Sequence, residues 1–176
     1  KENQDFLNIL KQKTSHPRYL DVEFIIRYFA ISDGIDTDKN GIVFLSNYRG
    51  KLVQYLNEYM DLHKNCSLDD KEEFKSRFNK TMEKVVIVFG TEKAFRDIST
   101  DNPKVYKTIA DFIMPSFERM ELEFVKEKAD VIYERLEAFL RKDEIRDILK
   151  KRTSDTDMMN LRLRKWFEEI NDVIQL

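Results

Sequence analysis

The chain has 176 residues, of which 41 % are hydrophobic and 36 % charged, and its formal net charge is -2 at pH 7. This length and apolar content suffice for one packed domain and exclude a disordered chain. The nearly balanced charge gives no overall attraction to nucleic acid or to an anionic membrane. With 4 glycines and 3 prolines, the sequence favours long helices joined by short connections.

Cysteine content and hydropathy narrow the class of protein further. Cys66 is the one cysteine, which excludes an intrachain disulfide and is typical of a reduced cytoplasmic protein. No run approaches the roughly 18 consecutive apolar residues that a membrane helix requires, and no signal peptide opens the chain. We therefore expect a cytoplasmic protein without a membrane partner. Because the first residue is Lys1 and not methionine, we also expect an excised piece of a longer protein.

The first half of the chain is predicted to form four helices. Residues 4–13 have an amphipathic pattern, and the run after Pro17, RYLDVEFIIRYFAIS, is apolar around nearly its whole circumference, as expected for a helix in the middle of a bundle. The apolar stripe in YRGKLVQYLNEYMDLH predicts the third helix. Ser67, with Asp70 three positions later, predicts the N-cap of the fourth. We expect Gly90 to terminate that helix.

The second half is predicted to be helical as well. Asn102 and Pro103 are a start signal for a helix that kinks or restarts at Pro115. A long helical segment, residues 117–140, is followed by the shorter KDEIRDILKKR and by a final helix capped by TSDTD. We predict an all-α bundle of about eight helices. It forms a single domain over residues 1–176, with an alternative division into a core bundle, 1–114, and C-terminal helices, 115–176.

One short segment has the composition of a calcium-binding loop. Residues 36–41 read DTDKNG, which places Asp36, Asp38 and Asn40 at loop positions 1, 3 and 5 and a glycine at position 6. A functional loop needs a bidentate carboxylate at position 12, where this chain has Asn47. We therefore predict a polar turn or the tip of a short hairpin inserted near residues 33–47, and no metal site.

No self-contained active site is evident. The two histidines, His16 and His63, and Cys66 are too few for a zinc site, and there is no glycine-rich phosphate loop. No pattern singles out a nucleophile and its base. We therefore assign no catalytic residue and no cofactor to this chain.

The most unusual polar residues lie in the second predicted helix. Arg27 follows Glu23 by four positions, the favourable orientation for a helical ion pair, within an otherwise apolar surface. A buried arginine has to be paired, because an isolated buried charge is costly. We expect Arg18, Asp21 and Arg96 to join this network, which either fixes the helix register or forms an interface with a neighbouring domain.

A second group of charged residues lies near the C-terminus. Residues 141–165 contain nine basic and five acidic side chains. Such a basic patch supports salt-sensitive contacts to phosphate, and Trp166 beside it could stack on a base. The residues that we assign to this nucleic-acid contact are Lys150, Lys151, Arg152, Arg162, Arg164 and Lys165.

Three sequence blocks, in this order, resemble the GmrSD-like restriction family. RYLDVEFIIRYFA, residues 18–30, resembles the family signature R-x-x-D-x-E-x-x-x-R-F-F-A. YRGKLVQYLNEYM, residues 48–60, is similar to its Y-x-G…F-L-N-x-Y-M block, and VFGTEKAFR, residues 88–96, to the block after it. The tail TSDT…NLRLRKW also resembles the usual ending. Order and spacing agree over most of the chain.

The resemblance implies that this chain is a fragment of a larger protein. Members of that family join an N-terminal ParB-like module, marked by a D-G-Q-Q-R motif, to a helical region. They act in bacterial or archaeal defence against foreign DNA. The resemblance also implies that the full-length protein uses a nucleoside triphosphate and a divalent metal as cofactors. The D-G-Q-Q-R motif and an HNH-type nuclease half are both absent from this sequence. No catalytic residue of the family can therefore be carried over.

These observations lead to three functional hypotheses. The first is a non-catalytic helical accessory domain of a GmrSD-like protein, which supports the missing ParB-like module, self-associates into a homo-oligomer or contacts DNA. The second is a stand-alone helical protein-interaction module. The third is a nucleic-acid-binding domain that uses the C-terminal basic face.

Overall fold

The computed structural model describes residues 3–11, 20–100, 104–150 and 155–174. These residues form eight α-helices and one two-stranded antiparallel sheet, which confirms the predicted all-α bundle of about eight helices. The elements in chain order are α1 Gln4–Ile9, α2 Leu20–Gly34, β1 Ile35–Thr37, β2 Val43–Leu45, α3 Leu52–His63, α4 Leu68–Lys93, α5 Lys107–Glu118, α6 Leu122–Arg141, α7 Asp143–Lys150 and α8 Thr156–Ile174. Among the helices described here, none has the length and apolar content needed to cross a bilayer.

Helix α2 packs between α5 and α3, and apolar side chains cover most of its circumference. Phe24, Tyr28 and Ile31 are almost completely buried. The ring of Phe6 in α1 contacts both Phe24 and Phe78, which lies in α4, in edge-to-face geometry. Aromatic pairs of this kind add stability beyond the area that they bury. The central position predicted for the second helix is therefore correct.

Helix α4 begins with the predicted cap, and its regular part ends at the predicted glycine. The Ser67 hydroxyl accepts a hydrogen bond from the Asp70 amide at 3.1 Å, and the Asp70 carboxylate accepts one from the Ser67 amide at 2.7 Å, which completes a capping box. Gly90 has φ 59° and ψ 177°, a conformation that only glycine adopts readily. The regular helix therefore ends at Gly90, as predicted, and a separate short helical turn continues across this kink to Lys93.

Helix α5 differs from its prediction at both ends. It begins at Lys107, whereas the predicted start at Asn102 and Pro103 lies outside the described residues. Pro115 does not interrupt the helix, which continues to Glu118. An interior proline costs about 3 kcal/mol. Here every residue from 108 to 117 is buried, so packing against the surrounding helices offsets that cost.

The C-terminal helix is anchored by the one tryptophan. The Trp166 indole N–H donates a hydrogen bond to the Ser116 hydroxyl at 2.9 Å, and both side chains are fully buried. Its ring packs against Phe112 and Phe139 at centroid distances of 5.5 and 5.4 Å. Trp166 therefore fills the core and is not available to stack on a base. One cluster of buried apolar residues runs from α1 to α8 and includes residues on both sides of position 114.

The segment near residues 33–47 forms the predicted hairpin. Strands β1 and β2 pair antiparallel with Ile35 opposite Leu45. The Leu45 amide donates a hydrogen bond to the Asn160 side-chain oxygen at 2.7 Å. Because Asn160 belongs to α8, the hairpin is held against the C-terminal helix of the bundle.

Candidate functional site

Arg27 lies at the interface of α2 and α5, where it pairs with a residue that was not predicted from the sequence. Its Nε atom donates to Asp111 Oδ1 at 2.9 Å, and a second guanidinium nitrogen bonds to Asp111 Oδ2. Arg27 is 7 % exposed and Asp111 is 3 % exposed. Burial opposes the charged guanidinium, but the adjacent Asp111 carboxylate outweighs it and raises the pKa of Arg27 above its ordinary value. Such bidentate, charge-assisted pairs are among the stronger hydrogen bonds in proteins.

Glu23 extends this pair towards the surface. One of its oxygens lies 3.6 Å from the Arg27 guanidinium, and the other accepts a hydrogen bond from the Lys107 ammonium. Lys107 is the first residue of α5. Two ion pairs therefore join α2 to α5, the buried pair of Arg27 with Asp111 and the more exposed pair of Glu23 with Lys107. Together they fix the register of the two helices.

Two of the other residues predicted for this network, Asp21 and Arg96, do not join it. Arg96 is buried, but its guanidinium donates to the backbone oxygens of Ile9 at 2.7 Å, Ala94 at 3.1 Å and Thr91 at 3.2 Å. It therefore joins α1 to the end of α4 through carbonyl groups, and burial lowers its pKa. Arg18 lies outside the described residues.

Asp21 is buried at 5 % exposure without being part of the Arg27 network. Its Oδ1 atom has no hydrogen-bond partner among the residues that the structure describes. It lines a cavity of about 280 Å³ between α1, α2 and α4.

A second polar cluster, not predicted from the sequence, joins α2, α3, α4 and α5. Arg77 donates hydrogen bonds to Glu118 at 2.7 Å and to Asp33 at 2.5 Å. The Tyr59 hydroxyl donates to the other Asp33 oxygen at 2.5 Å, and the Ser32 hydroxyl donates to Glu118. Burial opposes ionisation of Glu118, but the hydrogen bonds from Arg77 and Ser32 outweigh it and lower the pKa of this carboxyl. No local signal could have revealed the cluster, because its members come from four helices.

Lys84, in α4, caps the C-terminal end of α5. Its ammonium donates to the carbonyl oxygens of Met120 at 2.6 Å, Phe117 at 2.8 Å and Glu118 at 3.3 Å. The last carbonyls of a helix have no partner within the helix and carry partial negative charge. Lys84 satisfies these groups from α4, while burial lowers its pKa.

The structure corrects the predicted nucleic-acid contact at Arg162. This side chain is 1 % exposed, and its guanidinium donates to the Ile148 carbonyl at 3.1 Å and contacts the Met159 sulfur at 3.5 Å. Arg162 therefore packs between α7 and α8 and cannot reach a phosphate. Lys150 is the last residue of α7, and Lys151 and Arg152 lie outside the described residues.

The two other basic residues of α8 are partly exposed but face acidic neighbours. Arg164 Nε lies 3.8 Å from Glu168, and Lys165 Nζ lies 3.4 Å from Glu144. Such surface pairs contribute little stability, but they reduce the positive potential that a phosphate backbone would meet. The described part of this face is therefore a mixture of ion pairs and not a continuous basic stripe.

The calcium-like residues form the tip of the hairpin. Asp38 Oδ1 accepts hydrogen bonds from the amides of Asn40 at 2.8 Å and Ile42 at 2.9 Å, and these bonds lower the pKa of Asp38. Asp36 accepts a bond from the next amide in the chain. The carboxylate of Asp38 is thus directed at its own turn, in the manner of an Asx-turn. Within the ranges that the structure describes, no three histidine, cysteine or acidic side chains are placed to hold a metal ion.

His63 and Cys66 line a polar cavity of about 470 Å³ beside Arg77. His63 Nδ1 lies 2.8 Å from the Tyr59 carbonyl oxygen, and the two rings are in contact at 4.2 Å. One histidine and one cysteine are too few for a zinc site. The cavity therefore gives no catalytic assignment.

Several large apolar side chains are exposed on α3 and at the start of α4. Val53 is 73 % exposed, Leu62 is 81 % exposed and Leu68 is 79 % exposed. Single exposed apolar residues are common. Leu62 and Leu68, however, flank one short connection between two helices.

Comparisons of this chain with family models, curated proteins and solved structures give no match. The resemblance to GmrSD-like proteins therefore depends on the three sequence blocks and the C-terminal tail alone.

Proposed function

We propose that this chain is a non-catalytic, cytoplasmic helical accessory domain of a GmrSD-like prokaryotic defence protein. In that role it supports a ParB-like module, which binds the nucleoside triphosphate and divalent metal and cleaves DNA. The observation that carries the proposal is the use of the buried charges. Arg27, Lys84 and Arg96 each join one helix to another segment through ion pairs or backbone carbonyls. Charged groups that bond to other parts of the same protein stabilise a scaffold. They are not available to bind a substrate.

The residues that carry the family resemblance support the same role. In the first block Tyr28 and Phe29 are core residues, and Arg27 forms the buried ion pair. In the third block Phe95 is buried, and Gly90 forms the kink that turns the chain. A sequence signature made of such positions is expected of a domain whose task is to hold a shape.

The exposed apolar residues support an interaction role for this scaffold. Val53, Leu62 and Leu68 lie on α3 and at the start of α4. Large exposed aliphatic side chains are found on surfaces that another protein covers, and Leu62 and Leu68 flank the same short connection. This observation equally favours the alternative of a stand-alone protein-interaction module.

Enzyme assays on two polypeptides test the proposal. The first is this chain alone. The second is the natural polypeptide with the residues that its gene encodes before Lys1. We expect the chain alone to hydrolyse no nucleoside triphosphate and to leave DNA intact, and the longer polypeptide to do both. A D-G-Q-Q-R motif should be found in the upstream region. Hydrolysis by the chain alone, or an upstream region without that motif, would contradict the proposal.

The nucleic-acid-binding alternative has weaker support, because Arg162 is buried and Arg164 and Lys165 have acidic neighbours. It predicts binding to duplex DNA that weakens steeply with salt. Replacing Arg164 and Lys165 with alanine would abolish such binding. We expect the chain alone to show no salt-dependent binding that these two residues control.

A further inference from the structure

The cavity between α1, α2 and α4 combines apolar walls with one buried carboxylate. Its volume is about 280 Å³, and its walls include Phe6, Phe29, Phe74 and Phe78. Among the described lining residues, Asp21 supplies the one acidic group. A largely apolar cavity with a few polar groups at its wall has the composition of a binding site.

The carboxylate of Asp21 is not balanced by the described part of the protein. It is 5 % exposed, and its Oδ1 atom has no hydrogen-bond partner among those residues. Asp111 is buried to a similar degree, but it is held by the bidentate bond from Arg27. Asp21 lies in the first turn of α2, where the helix dipole favours a negative charge. That contribution is smaller than the cost of burying an unpaired carboxylate.

The other polar groups of the cavity already have partners. The Lys75 ammonium pairs with Glu72 at 3.1 Å. The side-chain oxygen of Asn79 accepts a hydrogen bond from the Asn3 amide at 2.8 Å. Among the described lining residues, Asp21 therefore has the carboxylate oxygen that is available to a ligand. Because a carboxylate is negative, we expect that ligand to be a cation.

We propose that this cavity binds an arginine side chain of a partner protein, with an apolar residue beside it. The inference rests on the proposed accessory role and names the chemistry of the segment that docks. A guanidinium pairs with a carboxylate and packs well against aromatic rings, and here Phe6, Phe29, Phe74 and Phe78 line the same cavity as Asp21. The volume lies just below the range of about 300–1,000 Å³ that small-molecule pockets occupy, which favours one or two side chains. Buried arginines of this kind are common anchors of protein interfaces.

Two matched peptides test the proposal on the purified chain. Acetyl-Leu-Arg-Leu-amide supplies the guanidinium, and acetyl-Leu-citrulline-Leu-amide has nearly the same shape without the charge. Binding is followed by amide chemical shifts in α1, α2 and α4. We expect saturable shifts with the arginine peptide and at least about tenfold weaker binding of the citrulline peptide, because the charge pair is lost. Equal affinities, or no binding of the arginine peptide, would overturn the proposal.

Two variants separate the role of Asp21 from a general effect of charge. Asp21→Asn should remove the preference for arginine, whereas Asp130→Asn, on an exposed position of α6, should preserve it. Binding of hexylguanidinium with no binding of the arginine peptide would indicate a small cationic ligand and would overturn the assignment to a partner protein.

Thermal unfolding provides an independent readout. Asp21→Asn removes an uncompensated buried charge, so we expect the melting temperature of the isolated chain to rise. Asp111→Asn breaks an existing pair and should lower it. If both variants lower the melting temperature alike, Asp21 has a partner within the chain and the proposal fails. None of these measurements involves nucleotide or DNA, so their failure and a failure of the accessory role are distinguishable.

Discussion

Arg27 and Asp111 are 84 positions apart in the sequence and form a two-pronged ion pair between α2 and α5. Both side chains are buried, so removing Arg27 would leave Asp111 without its bidentate partner, and removing Asp111 would leave Arg27 with the more distant Glu23, 3.6 Å away. The pair links the helix that carries the first family-like block to the most deeply buried helix of the bundle. The contribution of this ion pair to the free energy of unfolding is therefore the first property to measure.

Replacing one member of this pair should be far more harmful than replacing both. We expect Asp111→Leu or Arg27→Met to lower the free energy of unfolding by about 3–5 kcal/mol, since a buried charge loses its partner. The double variant Arg27→Met with Asp111→Leu should recover most of that loss. Urea unfolding of the two single variants and the double variant measures the coupling.

The matched control is the surface pair of Arg141 and Glu137, whose atoms lie 3.0 Å apart. Its coupling should be at most about 1 kcal/mol. A buried pair that behaves like this surface pair would contradict the assigned role.

The pKa of Glu118 predicts an acid-sensitive contribution to stability. Burial acts against its ionisation, but the bonds from Arg77 and Ser32 prevail and hold the pKa of Glu118 below its ordinary value. A carboxyl whose pKa is depressed by folding stabilises the protein above its unfolded pKa. That contribution is lost as pH falls through the folded pKa.

Glu118→Gln should accordingly lower the unfolding free energy near pH 7 by roughly 1–3 kcal/mol. It should also reduce the further loss of stability below about pH 4. Urea titrations between about pH 6 and pH 2.5 compare the variant with the parent chain. Glu123→Gln, on the exposed face of α6, is a suitable control because its carboxylate is 83 % exposed. Parallel pH profiles for the parent and Glu118→Gln would refute the prediction.

Two glycines are required for different reasons. A Cβ atom at Gly34 would lie 2.1 Å from the Tyr55 hydroxyl oxygen, which itself donates to the Ala30 carbonyl. A Cβ atom at Gly90 would meet no atom within 4 Å, but the positive φ of 59° is unfavourable for any other residue. We expect Gly34→Ala and Gly90→Ala each to cost about 1–3 kcal/mol.

The background variant Tyr55→Phe distinguishes the two causes. It removes the oxygen that a Cβ atom at Gly34 would meet, so the additional cost of Gly34→Ala should become smaller in that background. The cost of Gly90→Ala should be unchanged, because it arises from the backbone. Thermal unfolding of Tyr55→Phe and of each glycine variant in both backgrounds measures these costs, and equal effects of Tyr55→Phe on both glycine substitutions would contradict the prediction.

Arg162 and Arg164 lie two positions apart but should respond very differently to substitution. Arg162→Ala removes a buried side chain and its bond to the Ile148 carbonyl, and we expect a loss of about 2–5 kcal/mol. Arg164→Ala affects a partly exposed residue with one distant acidic neighbour, and its effect should stay within about 0.5 kcal/mol. Fluorescence of Trp166 during urea unfolding can report both. Similar losses for the two variants would show that Arg162 is not part of the core.

Calcium should leave the stability of the chain unchanged. The Asp38 carboxylate is engaged with the amides of Asn40 and Ile42, and position 12 of the loop is the neutral Asn47. A ligand that binds the folded state stabilises it by RT ln(1 + L/Kd), where L is the free ligand concentration, so it raises the melting temperature once that concentration exceeds Kd. We therefore expect no shift at millimolar calcium, with magnesium at the same concentration as the ionic-strength control. A shift specific to calcium would show that the hairpin tip rearranges into a site.

Local features of the fold were predictable because their causes are local in sequence. The capping box of Ser67 and Asp70 uses residues three positions apart, and the central place of α2 follows from apolar side chains on most of its faces. The hairpin near residues 33–47 follows from the turn chemistry of Asp, Asn and Gly. These patterns determined the fold class and most helix positions.

Tertiary packing decided what the sequence pattern could not. Pro115 remains helical because its surroundings bury the whole helix, and Arg162 enters the core because α7 offers a carbonyl to its guanidinium. Arg27 was predicted to need a partner, but Asp111 became that partner only when α2 and α5 were packed side by side. The sequence by itself thus determined which segments are helices and that buried charges must be balanced. Only the three-dimensional fold decided which groups balance them, because the distances that set electrostatic energies depend on packing and not on position along the chain.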